Sequence, residues 1–183
     1  MATTESEIRT LVDKIRRQKQ AGKFRPYIEF AQFPRYRNFQ KDLRVTFDFP
    51  LTVIVGPNGS GKTSLLQALS GAPQNESPGK WWFGTALDPI DAEDAIGPRR
   101  NLPQAEKAAL WYGYIDTGGT QKRALKLRIK RAGNPDYWEP SRPVAAYGIE
   151  GKERHPVVSM QAKYMNFKTQ LSAFDRCFYA SRV

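Results

Sequence analysis

The chain has 183 residues, with 29 basic against 18 acidic side chains, a net charge of +11 and 40% hydrophobic content. That is the make-up of one globular domain, or of one lobe of a larger assembly, and the charge favours a polyanionic partner or good solubility. A single cysteine, Cys177, excludes an internal disulfide framework and a multi-cysteine metal site, and no apolar run approaches the ~18 residues of a membrane helix.

Residues 1–24 open with "TTESEIRTLVDKIRRQKQ", whose spacing predicts an amphipathic helix. Thr4 and Glu7 stand as a capping box, and Ile8, Leu11, Val12 and Ile15 make one apolar stripe among basic residues. The same polar stretch carries no signal peptide, so a cytoplasmic protein with no membrane partner is expected. "YIEFAQF" predicts a strand stopped by Pro34, and "DLRVTFDF", residues 42–49, predicts a second. "LTVIV", residues 51–55, is almost fully apolar and predicts a buried strand in a sheet covered on both faces. "TSLLQALSG" then predicts a short helix closed by Gly71.

Residues 72–104 are rich in Pro, Gly and Asp and predict a surface excursion, in which Trp81 and Trp82 suit a packed contact better than base stacking. "PQAEKAALWYGYI" predicts a helix running toward a strand. "QKRALKLRIKR" predicts a strand with Leu125, Leu127 and Ile129 on one face and Lys126, Arg128 and Lys130 on a basic outer face. "PVAAYGI" and "PVVSMQAKYM" predict two more strands. His155, beside Pro156, has no ligand cluster around it, and Cys177 in "FDRCFYA" reads as a packed thiol.

The chemistry lies in "GPNGSGKT", residues 56–63. Gly56, Gly61, Lys62 and Thr63 match G-x-x-x-x-G-K-[ST], between an apolar strand-like run and an apolar helix. Gly59 and Gly61 let the backbone of Asn58, Gly59, Ser60, Gly61, Lys62 and Thr63 wrap so that successive N–H groups face phosphate oxygens. The helix N-terminus adds positive dipole. Lys62 is the catalytic candidate, facing the β- and γ-phosphates; Thr63 is the Mg²⁺ ligand; Ser64 is placed to meet the α-phosphate.

"GPNGSGKTSLLQAL", with Asn38-Phe39 ahead of "LRVTFDF" and "LTVIV", resembles the first lobe of ABC-class ATPases of the SMC/RecF-like branch, within the AAA family. The resemblance covers residues 27–71 and extends in general look to ATPase subunits of bacterial anti-phage defence systems. It implies an α/β P-loop NTPase lobe over residues 25–183, with a mixed β-sheet and flanking helices, incomplete without a second lobe. It also implies ATP and Mg²⁺ as ligands, Asn38 as a nucleotide contact and Gln161 as a second metal ligand, with Gln170 the weaker candidate. A second ATPase lobe or subunit is expected as partner, in a homo-oligomer, with a nuclease or toxin effector and DNA as further candidates.

Such ATPases need a signature loop, a metal-holding Asp followed by a Glu, and a later His. "LSGAP", residues 69–73, lies at the end of the cradle helix, not where a signature loop stands. Asp116 ends an apolar run, but Thr117 follows it where the acid belongs. The chain is therefore expected to be inactive alone: a piece of a longer ATPase or half of a split one. Two other readings stay open. One is a small phosphotransferase with Asp116 on the metal and Arg99, Arg100, Arg123 and Arg128 on phosphates. The other is a non-hydrolysing module binding ATP and nucleic acid, with the basic strand on the latter.

Overall fold

The computed structural model describes residues 4–37, 39–81, 107–131, 134–154 and 156–165. Helix α1 spans Glu5–Gln20 and forms as its sequence dictates. The capping box is present: the Glu7 N–H donates to Thr4 Oγ1 and the Thr4 N–H donates to the Glu7 carboxylate. No residue of α1 is buried, and Ile8 and Leu11 stay half exposed. Its end is moored by Lys19, whose ammonium donates to the carbonyls of Phe47 (3.2 Å) and Asp48 (2.7 Å).

Strands β1 (Tyr27–Arg35), β2 (Leu43–Thr46), β3 (Ala109–Ile115), β4 (Gln121–Arg131) and β5 (Asn134–Ser141) form one sheet in the order β2-β1-β3-β4-β5. Every ladder is antiparallel, so the expected parallel component is not formed among the described residues. Strand β1 runs through Pro34, where a register shift between Gln32 and Arg35 accommodates the missing donor. Strand β2 is shorter than expected. Residues 51–55 form no strand, and Leu51, Val53 and Val55 are 72%, 75% and 84% exposed, while Ile54 packs on the core. Residues 145–147 form a 3-10 turn, and 156–165 have no ladder partner among the described residues.

Both faces of the sheet are covered. On one lie Ala31, Phe33, Leu110, Tyr112, Ala124 and Trp138, packed under helix α2 (Lys62–Ser70) through Leu65 and Ala68. On the other, Phe30, Trp111, Leu125 and Leu127 pack beneath Val144, Tyr147 and Ile149. The covering segments are fixed by polar ties: the Tyr112 hydroxyl donates to the Ala72 carbonyl (2.8 Å) and accepts from the Val158 N–H (3.3 Å).

This double cover overturns the expected basic outer face. Lys126 is 3% and Arg128 1% exposed, so neither can lie on nucleic acid. The Lys126 ammonium instead donates to the carbonyls of Gly71, Pro73 and Glu76 at 2.7–2.8 Å. It stands at the C-terminus of α2, where carbonyls lack intrahelical donors and the dipole favours a cation.

The start of the expected surface excursion is also buried, with Ala72, Pro73 and Pro78 among the core residues. There the chain folds back so closely that a Cβ on Gly71 would sit 2.2 Å from the Pro78 nitrogen. A valine at Gly71 is expected to lower stability by about 3 kcal/mol, because only backbone movement can relieve the clash. Urea unfolding checks this; an unshifted midpoint would contradict the close approach.

Candidate nucleotide cradle

Residues 56–61 turn through three glycines with left-handed or related backbone: Gly56 (φ +153°), Gly59 (φ +82°) and Gly61 (φ +90°). At Gly59 a Cβ would meet nothing within 4 Å, so the glycine serves the turn and not the packing. Gly61 does both, because a Cβ there would lie 2.6 Å from the Phe39 ring. Gly61 is also the N-cap of α2 and offers no side chain to the first turn. The N–H groups of Lys62, Thr63 and Ser64 therefore have no intrahelical acceptor and point off the helix end.

Lys62 folds back over the loop, donating to the carbonyls of Gly56 and Pro57 at 2.7 Å each. An ammonium has three hydrogens, so one donor remains for a ligand. Thr63 is exposed beside it. The N–H groups of Lys62, Thr63 and Ser64 at the helix N-terminus, with a lysine beside them, fit a polyphosphate, and no acidic side chain of residues 56–64 opposes it; the Ser60 N–H donates within the loop to the Pro57 carbonyl (3.3 Å). The residues present thus fit a nucleoside triphosphate, with the Thr63 hydroxyl the group that would hold its Mg²⁺.

The cradle helix is fastened at both ends. Lys126 caps its C-terminus. Near its N-terminus, the Phe39 ring lies against Gly61, stacked with Tyr36 (5.4 Å, 28°) and edge-on to Phe33 (5.0 Å). Arg37 was not marked by sequence reasoning, yet its guanidinium donates to Ser64 Oγ (3.2 Å), Gln67 Oε1 (3.2 Å) and the Trp81 carbonyl. Asn38, the expected nucleotide contact, lies outside the described residues, as do Trp82, Arg99, Arg100, His155, Gln170 and Cys177. Gln161 is described and exposed, in the segment after Val158.

Asp116 does not reach the cradle. It sits in the β3–β4 hairpin, where its carboxylate accepts from the Thr120 N–H (2.8 Å) and pairs with Lys122 (2.7 Å). The Lys122 hydrogen bond, first, and the Thr120 N–H hold its pKa below 3.8. Phe39, beside the cradle, follows the β1 end that pairs with Ala109, whereas Ile115 pairs with Tyr27 at the other end. At about 3.4 Å per residue the hairpin lies roughly 20 Å along β3 from that end. Asp116 is a turn residue, and with Arg128 buried the phosphotransferase reading loses its metal ligand and one of its clamps.

Among the described residues no group of three His, Cys, Asp or Glu side chains could hold a metal ion, and no helix is long and apolar enough to cross a membrane. No solved structure matches the chain. Residues 29–81 match the family model described as AAA domain. A stretch of 43 residues is 35% identical to the chromosome partition protein Smc of Halothermothrix orenii, covering 24% of this chain and 4% of that protein. Together with the glycine loop and its lysine, these likenesses support an ATP-binding, SMC-like AAA ATPase domain of the P-loop NTPase kind in this part of the chain.

Proposed function

We propose that the chain supplies the ATP-binding lobe of an SMC-like ABC ATPase and completes its catalytic site only with a second lobe or subunit. The observation that carries this reading is the glycine turn of residues 56–61 with Lys62 at the N-terminus of α2, which suits a polyphosphate, while Asp116 is held in the β3–β4 hairpin by Thr120 and Lys122. Lys62 would neutralise charge on the β- and γ-phosphates, the N–H groups of residues 59–63 would bind their oxygens, and Thr63 with Gln161 would hold Mg²⁺. Bound Mg²⁺ supplies electrostatic stabilisation of the transferring phosphoryl group. A duty in DNA repair or anti-phage defence, in the cytoplasm, with a nuclease or toxin effector, is the wider setting that the resemblance suggests.

The need for a partner is supported by residues 51–55. Leu51, Thr52, Val53 and Val55 are all exposed, in a segment that makes no backbone hydrogen bond to another described residue. An apolar extended edge of this kind invites strand pairing. Replacing Val53 and Val55 together by Thr is expected to leave stability within about 0.5 kcal/mol of wild type, as exposed sites do. The same change should reduce association with the partner, or with a second copy, by at least tenfold. Sedimentation velocity over a concentration series checks this for the homo-oligomer; unaltered association would remove the edge from the interface.

A further inference from the structure

Helix α1 carries an apolar stripe that the described residues leave open. Ile8 and Leu11 are half exposed, Val12 and Ile15 continue the stripe, and α1 has no buried residue. A 16-residue helix is marginal in water on its own and draws most of its stability from packing an apolar face. The stripe leads to Lys19, one turn beyond Ile15. There the Lys19 ammonium donates to the Phe47 carbonyl and lies 4.9 Å over the Tyr27 ring. Phe47 and Tyr27 line a groove of about 630 Å³, together with Phe24, Leu66, Tyr164 and Met165. The stripe and the groove therefore share a rim.

The described residues end in that groove, at Met165, which is 58% exposed. The sequence continues as "NFKTQLSAFDRCFYASRV", residues 166–183, outside the described residues. Its Phe167, Leu171, Phe174 and Phe178 recur at intervals of four, three and four, which is the seam of a helix that packs on another helix. Phe178 stands eleven residues after Phe167, as Lys19 stands eleven after Ile8, roughly 17 Å of helix in each case. A chain that leaves the groove beside the C-terminal end of α1 meets the stripe by running back along it.

We propose that the occupant of the α1 stripe is this chain's own segment 166–183: it forms a helix antiparallel to α1 and seats Phe167, Leu171 and Phe174 against Ile15, Leu11 and Ile8, making a two-helix hairpin with its base at the groove. Tethering favours this occupant over a free partner, because a segment joined at the groove meets the stripe at a high effective concentration. Burial of the stripe supplies the packing that α1 otherwise lacks. Leu66 belongs to α2, so the base of the hairpin abuts the helix that carries the cradle.

Amide hydrogen exchange on the full chain tests this, over a dilution series with the oligomeric state followed by sedimentation. In wild type the amides of residues 9–20 should exchange about a hundredfold more slowly than in an unstructured chain. Leu171→Glu combined with Phe174→Glu should remove most of that protection, and so should Leu11→Glu from the other side of the contact. Ser172→Glu, off the seam, should remove none. The amides of β3 and β4 should stay as slow as in wild type throughout, which shows that the sheet still folds in each variant. Unprotected α1 amides in wild type would overturn the proposal. Protection that survives the double substitution would overturn it by giving the stripe to another segment, and protection that falls as a dimer dissociates on dilution would overturn it by giving the stripe to a second copy.

Discussion

Replacing Lys62 by Ala is expected to weaken MgATP binding about a hundredfold while leaving the fold intact. The ammonium is exposed, so its loss leaves no buried cavity, and its bonds are to two loop carbonyls that water can satisfy. A charge-assisted hydrogen bond to an anion contributes roughly 1.5–3 kcal/mol, which is about tenfold to somewhat over a hundredfold in affinity. Lys62 is the one full charge of the loop, which places the effect toward the upper end. Equilibrium binding of a fluorescent ATP analogue, with the thermal midpoint as control, measures it. Equal affinity in the variant would mean that the glycine loop is only a turn.

Lys126→Ala is expected to have the largest effect on stability, a loss of about 3 kcal/mol in urea unfolding. Truncation removes a buried aliphatic stem and leaves the carbonyls of Gly71, Pro73 and Glu76 without their shared donor. Lys126→Met restores the stem and should recover part of the loss. The pH dependence separates charge from volume. Desolvation, opposed by Glu76, lowers the Lys126 pKa from 10.5 to about 8. The folded value lies below the unfolded one, so between about pH 8 and 10.5 the unfolded chain binds more protons, and stability from this group rises with pH. That rise should be present in wild type and absent in Lys126→Met. Because Lys126 anchors the far end of α2, weaker MgATP binding should accompany the loss of stability.

Much of the cradle was legible because its signals are local. Glycines at 56, 59 and 61, the lysine and threonine after them and the apolar helix behind them lie within one short stretch. Helix α1 was legible for the same reason, its cap and stripe being set by residues three and four apart. The basic face of β4 was misread because alternation reports a two-sided strand without saying what covers each side. The carbonyls that claim Lys126 lie 50–55 residues away in sequence. Strand β5 was missed because Pro135, Asp136 and Pro140 argue against a strand, yet prolines are tolerated at a sheet edge, where β5 lies. Residues 51–55 failed in the opposite sense: a β-branched run reads as a buried central strand, and here the neighbours that would cover it are not among the described residues. Arg37 carried no motif; only the fold brings it to Ser64.

The most direct test of an incomplete ATPase lobe is to follow MgATP binding and phosphate release together on the purified chain alone. Saturable binding near one equivalent with no steady phosphate release is the predicted result, and it directs the search to the partner that supplies the missing carboxylate. Steady turnover by the chain alone would contradict it, because it would place a complete water-activating site within these 183 residues.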